Sequence, residues 1–195
     1  MSDPHHTWNL LRDSIGRSDR ARGCAPRPVA AVLRCADAGF DATAFFGQPA
    51  GAMIDLSSWG LTLDTGVLAG VDFALATAEV PLIVVLAHDE CAAIRAAVRA
   101  WEHAELPDGA MRAAVEGVLM SLVGRGASAE SHAHVAAAHA VETGLALLKR
   151  SPTLSRRLDE GRCGIVCATY DGAELRVHAT MGDVRVPSAA LAECV

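Results

Sequence analysis

Two short stretches carry side chains of the types that hold metal ions, Cys35-Ala36-Asp37 and His88-Asp89-Glu90-Cys91. Zinc prefers thiolate sulfur and imidazole nitrogen, and a site with three protein ligands keeps a position open for water. Cys35, His88 and Cys91 would form such a Cys2His set, with Asp37 as a fourth ligand or as a partner for the water. His88 and Cys91 stand three residues apart, so one tight turn can present both. Cys91 also opens a stretch of helical character, residues 91–106, where the positive end of a helix dipole favours a thiolate. The chemistry within reach is activation of water, because the charge of the ion pulls its pKa toward neutrality.

Such a set needs two strand ends side by side. Pro81 opens an apolar run, Leu82 to Ala87, too short for a helix and rich in branched side chains, which reads as a buried strand of a parallel sheet. Pro28 to Asp37 holds a second apolar strand that ends on Cys35. Open α/β sheets place their sites at the C-terminal ends of parallel strands. Residues 52–56 read as another short strand and 66–79 as an alanine-rich helix. The order strand, strand, helix, strand, helix predicts an α/β fold, a mostly parallel central sheet flanked by helices.

Further along, residues 108–126 read as a helix with Met111, Val115, Val118, Leu119 and Leu122 on one side. Residues 129–150 read as a longer helix, with Lys149 and Arg150 suited to its C-terminus. His132 and His139 share a face of it and are expected in solvent. A short helix from Pro152 to Glu160 ends at Gly161, and a strand from Gly164 to Tyr170 turns at Asp171-Gly172 into residues 174–180. At the N-terminal end, Trp8, Leu11 and Ile15 lie at helical spacing within residues 7–21, and a breaker-rich linker follows to Pro28. The chain therefore divides into a helix and linker, 1–27, and one α/β zinc-binding domain, 28–195.

The 195 residues, 51% hydrophobic, suffice for one domain with a real core. A net charge of −6 argues against nucleic acid or an anionic membrane as partner. No apolar run reaches membrane-spanning length and the N-terminal residues lack the apolar core of a signal peptide, so a cytoplasmic location is expected. The six cysteines then read as thiols and ligands rather than as a disulfide framework. Cys163 and Cys167, if both lie on one strand, stand roughly 13 Å apart, too far to bridge.

The motifs resemble those of the β-class carbonic anhydrases. That family carries C-x-D-x-R after one strand and H-x-x-C-G after another. Here they stand as Cys35-Ala36-Asp37-Ala38-Gly39 and His88-Asp89-Glu90-Cys91-Ala92. Phe46 to Gly51, Gly70 to Ala74 and Ile165 to Gly172 resemble its intervening turn, helix and closing strand, in the right order. The resemblance implies Zn2+ on Cys35, His88 and Cys91, and reversible hydration of CO2 to bicarbonate. It also implies a homodimer or dimer of dimers, with the N-terminal helix packed on a partner subunit. Asp37 takes the place of a catalytic Asp that accepts a hydrogen bond from the water, or binds zinc and shuts the site.

Several positions depart from the pattern. The arginine that fixes the family's Asp is Gly39, the glycine after the ligand Cys is Ala92, and R-N-x-G is Ser57-Ser58-Trp59-Gly60. Arg34 should point to the opposite face of its strand, which leaves Arg95, one helical turn past Cys91, as the candidate replacement cation. Without such a cation, Asp37 is expected to be the resting fourth ligand. Two alternatives follow from the rebuilt surroundings. One is a zinc hydrolase of the same fold acting on another small electrophile, such as carbonyl sulfide or carbon disulfide. The other is a noncatalytic zinc-binding relative with a closed site.

Overall fold

Five strands form one sheet in the order β2-β1-β3-β4-β5, made of β1 (Ala30–Arg34), β2 (Met53–Ser57), β3 (Leu82–His88), β4 (Gly164–Tyr170) and β5 (Leu175–Met181). The first four are parallel and β5 returns antiparallel to β4. The computed structural model describes residues 3–14, 27–126 and 131–186. β1 and β3 run through the middle and are buried on both faces, which is why they read as unbroken apolar runs rather than alternating ones. From β1 the chain goes out to β2 on one side, then crosses to β3 on the other. The order therefore switches between β1 and β3, and a crevice opens at their C-terminal ends.

Side chains alternate between the two faces along each strand. Ala31, Leu33, Cys35, Ile83, Val85, Ala87, Ile165 and Cys167 join one core. Over it lie α3 (Thr65–Ala76), α4 (Ala92–His103), α5 (Ala110–Arg125), α6 (His132–Arg150) and α7 (Pro152–Asp159). Ala30, Val32, Leu82, Val84, Leu86, Val166 and Ala168 face the other way, under α1 (Pro4–Ser14) and α2 (Ala42–Phe45).

The helices carry recognisable start and stop signals. Asp64 caps α3 by accepting from the Val67 amide at 2.8 Å, and Ser131 and Ser151 cap α6 and α7 in the same way. Gly126 ends α5 in the left-handed conformation. Met111 is exposed, whereas Val115, Val118 and Leu122 of the expected apolar side are buried, because the first turn of α5 stands clear of the sheet.

In the amphipathic helix α1, Trp8 and Leu11 are fully buried against the sheet of their own chain, beside Val32, Val84 and Val166, while Leu10 is exposed. Ile15 and most of the linker lie outside the described residues. Cys163 and Cys167 are both buried, and burial pushes the Cys163 thiol up to about 12. Among the described residues no helix is long and apolar enough to cross a membrane.

Candidate metal centre

At the crevice, the last residues of β1 and β3 are nearly level, since Arg34 pairs with Leu86. One step further Cys35 points down toward the helix-covered core. Cys91, capping α4, comes up beside it, with the two sulfurs 3.5 Å apart. Opposite them, Nε2 of His88 lies 2.8 Å from Oδ1 of Asp37. Ligand atoms of Cys35, Asp37, His88 and Cys91 all fall within 4.8 Å of one another. The four residues singled out from the sequence are thus brought together, three of them buried and Asp37 at the solvent-facing lip.

The donor set fits zinc. Two sulfurs bound at about 2.3 Å in a tetrahedron stand roughly 3.8 Å apart, close to the distance seen. Each close pair here shares a proton that a metal ion would replace. The Cys35 thiol is pushed far up, first by its hydrogen bond with Cys91 and then by burial. Cys91 is pulled down by the same bond, with the amides of Ile94 and Ala93 at the start of α4 adding to it against burial.

Burial alone would raise Asp37, but bonds to Cys35, the Ala92 amide and His88 outweigh it and hold the carboxyl below its usual range. Burial likewise works against a charged His88, and its bonds to Cys35 and Asp37 lift it above the ordinary value nonetheless.

Neither candidate arginine reaches Asp37. Arg95 turns back to the carbonyl and side chain of Glu90. Arg34, on the opposite face as its strand position requires, pairs with Asp55 of β2 at 2.8 Å. Asp37 is held instead by the Ala92 amide, 2.8 Å from Oδ2 at the exposed first turn of α4. At position 39 the backbone is left-handed, with φ +71°. The turn that follows Asp37 closes through the Ala38 amide and the Cys35 carbonyl, 3.2 Å apart.

Two contributors are not apparent in the ligand motifs. The segment after β2 is zipped to the end of β1, with the Ser58 amide on the Arg34 carbonyl and the Ala36 amide on the Ser58 carbonyl. This brings the Gly60 amide to 3.1 Å from the Cys35 sulfur. Gly60 is left-handed, and a Cβ there would lie 2.9 Å from that of Ala93 and 3.2 Å from that of Ala114, so only glycine fits. Its place in Ser57-Ser58-Trp59-Gly60 matches the glycine of the family's R-N-x-G, the one sequence signal for it.

The second is His139. It is buried, not solvated, with its ring between the Gly60 carbonyl and the Ser121 hydroxyl, 2.8 Å from each. Burial lowers its pKa and keeps the ring neutral. His132, which shares its helix face in sequence, stays exposed and takes no part in the cluster.

The carbonic anhydrase family profile matches residues 30–177, which include all four clustered residues. The chain is 34% identical to a carbonic anhydrase of Mycolicibacterium smegmatis, over 94% of this chain and 97% of that one. It is 38% identical to carbonic anhydrase 2 of Mycobacterium tuberculosis, over 78% and 76%. Among solved structures, a tetrameric β-carbonic anhydrase from Sordaria macrospora superposes with a TM-score of 0.68 at 16% identity, covering 82% of this chain and 84% of that one. The chain belongs to the carbonic anhydrase family, and its fold is that of the β class.

Proposed function

We propose that Cys35, His88 and Cys91 hold a zinc ion, that Asp37 closes on it in the resting protein, and that the site catalyses reversible hydration of CO2 to bicarbonate. The observation that carries this is the gathering of four ligand atoms within 4.8 Å at the switch point of the sheet. The relatives named carbonic anhydrase support the substrate. When bound, zinc supplies a Lewis acid that brings the deprotonation of water into the neutral range.

The chain's own residues do the rest. Cys91 and Cys35 would each lose the thiol proton on binding the ion and supply two negative sulfurs, leaving a weakly charged centre that tolerates burial. The Ala92 amide anchors one oxygen of Asp37. The other oxygen faces Nε2 of His88, and a metal taken up by that nitrogen removes its donor. With no arginine at position 39, that oxygen turns to the metal. When the carboxylate swings away, it accepts a hydrogen bond from the reacting water and orients it toward CO2.

The protein is further proposed to be cytoplasmic and to assemble as a homodimer or dimer of dimers, a reading supported by the tetrameric Sordaria relative. Analytical ultracentrifugation tests the assembly, and a single monomeric species would reject it.

Metal analysis with stopped-flow CO2 hydration tests the central reading. It expects one zinc per chain, with hydration weak near neutral pH and rising at alkaline pH. Full zinc with no hydration at any pH would reject the activity. Full activity at neutral pH would reject Asp37 as the resting ligand.

A further inference from the structure

Nothing in the metal-binding motifs requires a histidine in the middle of α6. Yet His139 is the most buried histidine among the described residues, at 6% exposure against 7% for His88. Its two ring nitrogens are both engaged, and the chemistry of the partners fixes the tautomer. The Gly60 carbonyl can only accept, so Nε2 carries the proton and donates across 2.8 Å. Nδ1 of the neutral ring is then an acceptor, and the Ser121 hydroxyl donates to it at 2.8 Å, sharing its proton with the Gly117 carbonyl at 3.0 Å. Ser121 sits on α5 and His139 on α6, so the ring is gripped from two helices.

The residue that His139 holds by its carbonyl, Gly60, is the one whose N–H, in the preceding peptide group, meets the Cys35 sulfur. The Gly60 N–H donates to the Cys35 sulfur at 3.1 Å. A run of hydrogen bonds therefore leads from Ser121 through His139 and Gly60 to Cys35, across three elements distant in sequence. Gly60 is also left-handed and pressed between Ala93 and Ala114, so the peptide on which this bond depends is not in a conformation that the chain adopts unaided. A donor that fixes the Gly60 carbonyl fixes the orientation of the residue, and with it the direction in which its N–H points.

We propose that His139 is a positioning residue for the metal centre, which holds Gly60 by its carbonyl, keeps the Gly60 N–H aimed at the Cys35 sulfur, and so sets how much charge that sulfur gives to a bound metal. The proposal rests on the reading of Cys35 as a metal ligand. An N–H bond to a thiolate withdraws electron density from it, which leaves the metal more acidic. His139 touches neither metal nor substrate and acts only through Gly60.

Cobalt-substituted protein tests this, because sulfur-to-cobalt charge-transfer absorption reports the charge on the sulfur ligands without reference to activity. His139→Leu should move that band to longer wavelength and weaken zinc binding by about tenfold, measured by chelator competition. His139→Gln can still reach the Gly60 carbonyl with an N–H donor, and should restore most of both. A residue that merely filled space would lower the melting temperature and leave the band in place. Should His139→Leu fail to fold, Ser121→Ala decides, since it frees the ring while keeping it present. It should shift the band in the same direction by a smaller amount. An unmoved band in folded His139→Leu, or in Ser121→Ala where the former does not fold, overturns the proposal while the metal centre stands. Wild-type protein that takes up no cobalt overturns both.

Discussion

Asp37 lacks the arginine that the family's motif places two residues later, and its charge is kept by other means. The Ala92 amide and His88 do that work without adding a permanent positive charge. Restoring the arginine is not simply a matter of space. Nothing lies within 4 Å of a Cβ at position 39, but the backbone is left-handed there. Gly39→Arg should therefore lower stability by about 1–2 kcal/mol, seen in urea unfolding. It should also raise CO2 hydration near neutral pH by giving Asp37 a partner other than metal. Unchanged rates at that pH would show that Asp37 is not what limits the resting site. Gly60→Ala should be harsher, because it adds a close approach to Ala93 and Ala114 to the same backbone strain. A loss of about 2–4 kcal/mol is expected. The clustering of Cys35, Asp37, His88 and Cys91 was legible in the sequence because Cys, His and Asp at strand ends carry chemistry in their type. Gly60 and Ala92 were not, because they act through backbone amides, and any residue type has an amide.

At the scale of elements, period and punctuation were enough to find every strand of the sheet and the longer helices, but not the four-residue α2 between β1 and β2. The burial of His139 was not legible. On an alanine-rich helix a histidine reads as a polar face, but Val135 to Val141 are all buried, so α6 is enclosed nearly all round. The direction in which α1 folds was equally hidden, since an apolar stripe does not say which surface it meets. The β4–β5 pair yields a pH prediction. Burial lowers His178 to about 4, and its Nδ1 is buried without a partner while Nε2 meets the Thr169 hydroxyl at 2.8 Å. The folded form holds the ring neutral, while an unfolded histidine protonates near 6.5. This contribution is whole above about pH 6.5 and is lost as the pH falls toward 4. Stability measured by denaturant should decline across that window, and His178→Gln should flatten the decline. An identical slope in the variant would place the acid sensitivity elsewhere.

For the whole molecule, a metal held as proposed would tie the end of β1 to the β3–α4 turn, segments far apart in sequence. Free zinc at 100 times its dissociation constant should stabilise the fold by about 2.7 kcal/mol. That amounts to roughly 5–10 °C in melting temperature for a chain of this size. Chelation should remove the gain, and Cys35→Ser should show no response to zinc at all. On the opposite face Trp8 is fully buried, and Trp8→Ala should cost about 3–5 kcal/mol. Because α1 docks on its own chain, that cost should not vary with protein concentration. The switch in strand order has a consequence in time as well as in place. β1 and β3 are neighbours only after β2 and α3 have been laid down between them, and such distant parallel pairing is slow to form. The site is expected to assemble only once that pairing is made, late in folding. Zinc should then slow unfolding while leaving the rate of folding untouched, so that the ion acts as a lock on the finished protein and not as a guide to it.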